Sequence, residues 1–148
     1  ARRGLPGDAA AALGHYERCH EVLERLLKAN PESAEAARDV MVSLERMGAF
    51  EGGRAGGEAK ALEVQTRALG IAIKLHEGNP QSVYYGRTAA VSFLLTSQRA
   101  QAAGNGELAR QCLAGCFAVL DPLVRAGAEL DPPMRQLHAQ LAPLFSEK

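Results

Sequence analysis

The sequence predicts an all-α fold, an α-solenoid of about three stacked antiparallel helix pairs, with residues 1–148 as a single domain. Three observations lead there. The chain repeats itself without a gap at an offset of 49 residues. Asn30-Pro31-x-Ser33 returns as Asn79-Pro80-x-Ser82, Arg38 as Arg87, Val42-Ser43 as Val91-Ser92, Ala12-Leu13 as Ala61-Leu62, and Leu26 as Leu75. A fixed period in this range belongs to stacked supersecondary units, none of which can bury its apolar face alone. Apolar residues recur at spacings of three and four, and no segment alternates strictly as a half-buried strand would. The breaks between segments are short and carry proline or glycine, which favours antiparallel neighbours.

Taken in order, the first helix is capped by Asp8 and runs to about Lys28, with Leu13, Tyr16, Cys19, Leu23 and Leu26 on one face. Asn30-Pro31 ends it, because the residue before a proline is pushed out of the helical region. The second, about Glu32 to Met47, aligns Ala37, Val40, Leu44 and Met47, with Gly48 near its end. The glycine-rich stretch from Glu51 to Gly57 reads as a flexible turn. A third helix, about Glu58 to Glu77, stops at the second Asn-Pro, and a fourth spans about Ser82 to Ala103 before Gly104-Asn105-Gly106. The fifth runs from about Glu107 to Ala126, with Pro122 expected to kink or shorten it. The sixth starts beside Asp131-Pro132-Pro133 and carries Leu137, Leu141 and Leu144.

The odd-numbered helices share a tighter signature: Ala12-x3-Tyr16-x2-Cys19, Ala61-x3-Gln65-x2-Ala68 and Ala109-x3-Leu113-x2-Cys116. Small side chains on one helical face let a partner helix approach closely. This pattern resembles the second helix of a tetratricopeptide repeat, and Leu44-x2-Met47-Gly48 stands where that family's first helix has an aromatic and then leucine-glycine. Tryptophan is absent, Leu44 and Phe93 standing in its place, and Thr96-Ser97 replaces leucine-glycine in the later copy. The long period is similar to the variant found in kinesin light chains and bacterial multi-repeat proteins, which Arg38-Asp39-x3-Ser43 also matches. The resemblance implies that the chain opens inside a repeat whose first helix is missing, with Gly4-Leu5-Pro6-Gly7-Asp8 as the remnant turn. It also makes the last helix, ending Ser146-Glu147-Lys148, a terminal cap. The chain then reads as a fragment or the end of a longer array.

Composition excludes several function classes. Seventeen basic and 17 acidic residues balance to a net charge of zero, and the two signs intermingle without a basic stripe. Nucleic acid and membrane are therefore not expected partners, and the apolar runs are too short to span a bilayer. No long apolar stretch follows Arg2-Arg3, so no signal peptide is read there. Three cysteines on predicted helices do not suit a disulfide framework, which points to a reducing, cytoplasmic setting.

Candidate chemistry is sparse. Cys112 and Cys116 lie four apart on one helix, as do His15 and Cys19, but no third ligand recurs with either pair, so no metal is expected. Cys116 and Cys19 occupy the small-residue position of Ala68, where free cysteine behaves as a small hydrophobe. None of His15, His20, His76 and His138 sits in a nucleophile context, and the glycine clusters lack the lysine and hydroxyl of a phosphate loop. No catalytic residue and no cofactor is assigned, and the chain is not read as an enzyme.

The resemblance implies a binding role instead, because first helices in such arrays line a concave groove that takes a peptide or partner segment. On the fourth helix Tyr84, Arg87, Val91, Leu94 and Gln98 share one face, and Glu35, Arg38, Val42, Glu45 and Ala49 share the equivalent face of the second. Tyrosine and arginine combine buried area with directional donors, which suits recognition. The other account of Arg38 and Arg87 is internal ion pairing between neighbouring repeats, for instance with Asp39. The expected function is thus a protein–protein interaction module. The alternatives are a structural spacer or self-association segment, joined through the open face of the first helix, and a ligand-sensing regulatory array attached to a catalytic domain.

Overall fold

In a computed structural model, which describes residues 7–146, the chain forms α1 (Gly7–Ala29), α2 (Ala34–Gly52), α3 (Glu58–Gly78), α4 (Val83–Ala102), α5 (Gly106–Arg125) and α6 (Pro132–Phe145). There is no strand among the described residues, so the fold is all-α. No helix among them is long and apolar enough to cross a membrane. The remnant turn and the final Glu147-Lys148 lie outside the described residues, apart from Gly7 and Asp8, which open α1.

The repeated Asn-Pro-x-Ser works as a helix-to-helix joint. Asn30 and Asn79 donate from Nδ2 to the carbonyls of Leu26 (3.2 Å) and Leu75 (3.4 Å), adding a side-chain bond to the last turn of each ending helix; the Leu26 carbonyl also takes the Asn30 amide. Ser33 and Ser82 then cap the following helices, their hydroxyls accepting from the amides of Ala36 (3.0 Å) and Tyr85 (3.2 Å). Asn105 caps α5 in the same way through Leu108.

The chain divides into two compact units, the boundary falling inside α3 between Ala68 and Leu69. In the first, α1 packs on α2, whose Val40, Met41, Leu44 and Met47 are buried. Gly48 lies inside α2 rather than at its end, and the helix runs on to Gly52. A β-carbon at Gly48 would stand 3.3 Å from a Val64 methyl and 3.6 Å from the Ala61 carbonyl oxygen. The missing side chain is therefore what lets α3 approach. Glu24 of α1 accepts from Arg67 of α3 at 2.8 Å.

In the second unit α4 packs on α5 and α5 on α6. The core gathers Ala90, Cys116, Phe117, Leu120, Leu123, Leu130, Met134 and Leu141. Every buried residue of α4 is small, from Gly86 and Ala89 to Ala100, so α5 can come close enough for the Cys116 thiol to reach the Ala90 carbonyl at 3.4 Å. α5 continues through Pro122 to Arg125. A proline in the last turn forfeits one backbone bond only, and the Ala126 amide still closes on the Pro122 carbonyl. α6 is pinned by His138, whose Nε2 lies 2.9 Å from Asp121 and whose ring stacks on Phe117.

Candidate functional site

The residues expected to line a groove fall in both units. In the first, Arg38 and Val42 of α2 face His15, Tyr16, Cys19 and Leu23 of α1 across an open cleft of about 390 Å³. Arg46 and Ser43 complete the α2 wall, with Asp39. A smaller cleft of about 180 Å³ shares Leu23 and Asp39 with it and carries Glu35. The two form one track along the α1–α2 seam.

Glu45 is half-buried and turned away from that track. Its carboxyl is raised above the ordinary range by burial, which a hydrogen bond from the buried Gln65 only partly offsets. The sign follows. A carboxyl raised in the folded state binds its proton more tightly there than in the unfolded chain, so its ionisation opposes folding as pH rises above the unfolded value. Glu45→Gln should therefore stabilise the protein at pH 7, by less than about 1 kcal/mol because the group keeps contact with water. The gain should vanish below the unfolded pKa, near pH 4. Urea titrations of both proteins at the two pH values check it.

In the second unit Tyr84 is exposed, its ring edge-on to Tyr85 at 5.3 Å. Val91 packs against the core cluster, Leu94 is half-buried, and Gln98 is exposed. Arg87 reaches both oxygens of Asp131, the residue just before α6, at 2.9 and 3.2 Å. That paired geometry holds the Asp131 carboxyl below its usual range and raises the guanidinium. Arg87 is thus tied to the α6 end of its own unit, an internal pairing whose partner is Asp131.

The three cysteines part company. Cys112 and Cys116 are buried, and burial alone pushes the Cys116 thiol up to about 12. Cys19, expected at the same small-residue position as Ala68 and Cys116, is exposed whereas those two are fully buried. The difference lies in α1 itself, which buries none of its residues. Leu26 is 51% exposed, while Leu75, its counterpart in α3, is 9% exposed. Among the described residues no group of three or more His, Cys, Asp or Glu side chains could hold a metal ion.

Sequence reasoning placed Tyr16, Cys19 and Leu23 on one face of the first helix but assigned neither them nor Ser43 and Arg46 to a site. Arg46 was within reach of it, since Arg38, Val42 and Arg46 are spaced by four. That the α1 face meets this α2 face was not, because only the pairing of α1 with α2 fixes which side chains share the seam. Compared with protein-family models, with curated proteins and with solved structures, the chain matches none.

Proposed function

We propose that the chain is a tetratricopeptide-like array of antiparallel helix pairs, working in the cytoplasm as a protein–protein interaction module that takes a peptide segment along the α1–α2 seam. The observation that carries this reading is the open track there, in which Arg38 and Val42 of the expected face meet Tyr16 and Arg46. Arginine and tyrosine beside aliphatic side chains are the residue types that dominate binding energy at interfaces. The three free thiols suit a reducing compartment. The test is to pan a displayed peptide library on the protein and measure an enriched peptide against Arg38→Ala. Affinity should fall by about 1–3 kcal/mol while the melting temperature changes little, because an interaction made by an exposed arginine contributes little to stability. A lower melting temperature with unaltered affinity would make Arg38 a strut and retire the seam as a binding site.

A second reading, self-association, is favoured by Val22 and Leu26, both about half exposed on α1. Contiguous exposed apolar surface tends to find a partner. Sedimentation should then show a concentration-dependent dimer that Leu26→Glu abolishes, and a strict monomer at high concentration would oppose it.

A further inference from the structure

The exposed face of α1 has a covered counterpart elsewhere in the chain. His15, Cys19, Val22 and Leu26 follow one another at spacings of four, three and four, so they form one strip along the helix. All four are exposed. One period later the same places in α3 hold Val64, Ala68, Ile71 and Leu75, and of these Val64, Ala68 and Leu75 are buried. The first unit shows what covers such a strip. Gly48 of α2 lies against Ala61 and Val64, and Glu24 of α1 takes Arg67 at 2.8 Å. A pair of helices thus receives α3, one giving close approach and the other a carboxylate. Arg18 stands in α1 where Arg67 stands in α3. It is exposed and pairs with no carboxylate among the described residues.

The second unit carries another helix pair of the same kind, α5 and α6. Asp121 lies five residues after Cys116, as Glu24 lies five after Cys19. Each of these carboxylates also holds an imidazole, Glu24 that of His20 at 3.0 Å and Asp121 that of His138 at 2.9 Å. Asp121 pairs with Arg125 as well, yet keeps 21% of its side chain exposed. On α6, Leu144 follows the buried Leu141 by three residues, as Met47 follows the buried Leu44 on α2. Met47 is buried, whereas Leu144 is 64% exposed. The α5–α6 end therefore offers the two things that receive α3 in the first unit: a helix with an uncovered apolar side chain, and a carboxylate beside it.

We propose that the α5–α6 end of a second copy of the chain covers the exposed strip of α1, burying Leu144 in the contact and bringing the partner's Asp121 to Arg18. The proposal rests on the self-association reading above and names its two surfaces. Because these differ, one copy can hold a partner at each, and the contact repeats from copy to copy instead of joining two identical faces. Removing Val22, Leu26 and Leu144 from water supplies the driving force. The charge pair fixes the register more than it adds affinity.

The full chain and its variants are followed by sedimentation velocity over a range of concentrations. The unaltered chain should form a dimer and then larger species as concentration rises. Leu26→Glu blocks the α1 strip and Leu144→Glu blocks the α6 end, both at exposed positions, so each variant alone should stay monomeric. Mixed in equal amounts, the two should form a one-to-one dimer that grows no further, since each keeps the surface the other has lost. Arg18→Ala should weaken association of the otherwise unaltered chain about two- to fivefold. Three results overturn the proposal: Leu144→Glu associating as the unaltered chain does, a mixture of the two blocked variants that stays monomeric, or no weakening with Arg18→Ala. The first would still leave self-association standing, through α1 alone. A strict monomer of the unaltered chain would remove both.

Discussion

Gly57→Ala should unfold the turn between α2 and α3, at a cost of about 3 kcal/mol, the upper end for overpacking. A β-carbon at Gly57 would fall 2.8 Å from the Glu51 carbonyl carbon and closer still to its oxygen. Both are backbone atoms and cannot swing aside. Glu51 cannot yield either, since it is buried, its carboxylate pairs with Arg54, and its carbonyl accepts the Arg54 amide. Gly56 provides the contrast. It sits at φ +79° with nothing within 4 Å of an added β-carbon. Alanine there meets only the left-handed backbone penalty, about 1–2 kcal/mol. Denaturant titrations should rank Gly57→Ala below Gly56→Ala in stability. The reverse order would mean that backbone angle rather than close approach governs the turn.

Gly115→Ala should destabilise the second unit by about 2–3 kcal/mol, although alanine is the better helix former by about 1 kcal/mol. The Phe93 ring of α4 occupies the notch that Gly115 leaves in α5. An added β-carbon would meet its Cζ at 2.7 Å and its Cδ1 at 2.8 Å. Phe93 packs against the core cluster, so the ring can turn away only by giving up that contact. Shortening it should restore room: Gly115→Ala combined with Phe93→Leu should lose less stability than the two single changes together. Additive losses would show that the ring and the glycine are not coupled. Gly86→Ala should cost less, because the atom in its way is the terminal Cδ1 of Leu123, at 2.6 Å, the end of a side chain with other rotamers.

Much of the local structure was legible in the residues. Asn-Pro-x-Ser announced both joints because its effects are carried within a few positions: proline restricts its neighbour, serine caps the next amides, and asparagine adds a side-chain bond to the last turn. The candidate site was legible only in part. Arg38 and Val42 were named, whereas Tyr16 and Cys19 entered the cleft through the packing of α1 on α2.

By itself the sequence determined six helices and the joints between them, since helix propensity, capping and proline chemistry act over one or two turns of chain. The tertiary structure decided what each repeated position became. Cys19 and Ala68 hold the same place in the repeat, yet one is exposed and the other buried. Arg87 found Asp131, 44 residues away, while the residue standing in that place one period earlier is Ser82. Gly48, Gly57 and Gly115 carry the same absent side chain to three different settings. What separates them is the atom opposite: a Val64 methyl, the Glu51 backbone, the Phe93 ring. Burial, pairing and close approach depend on the element across the interface, and periodicity specifies only which face a helix presents to it.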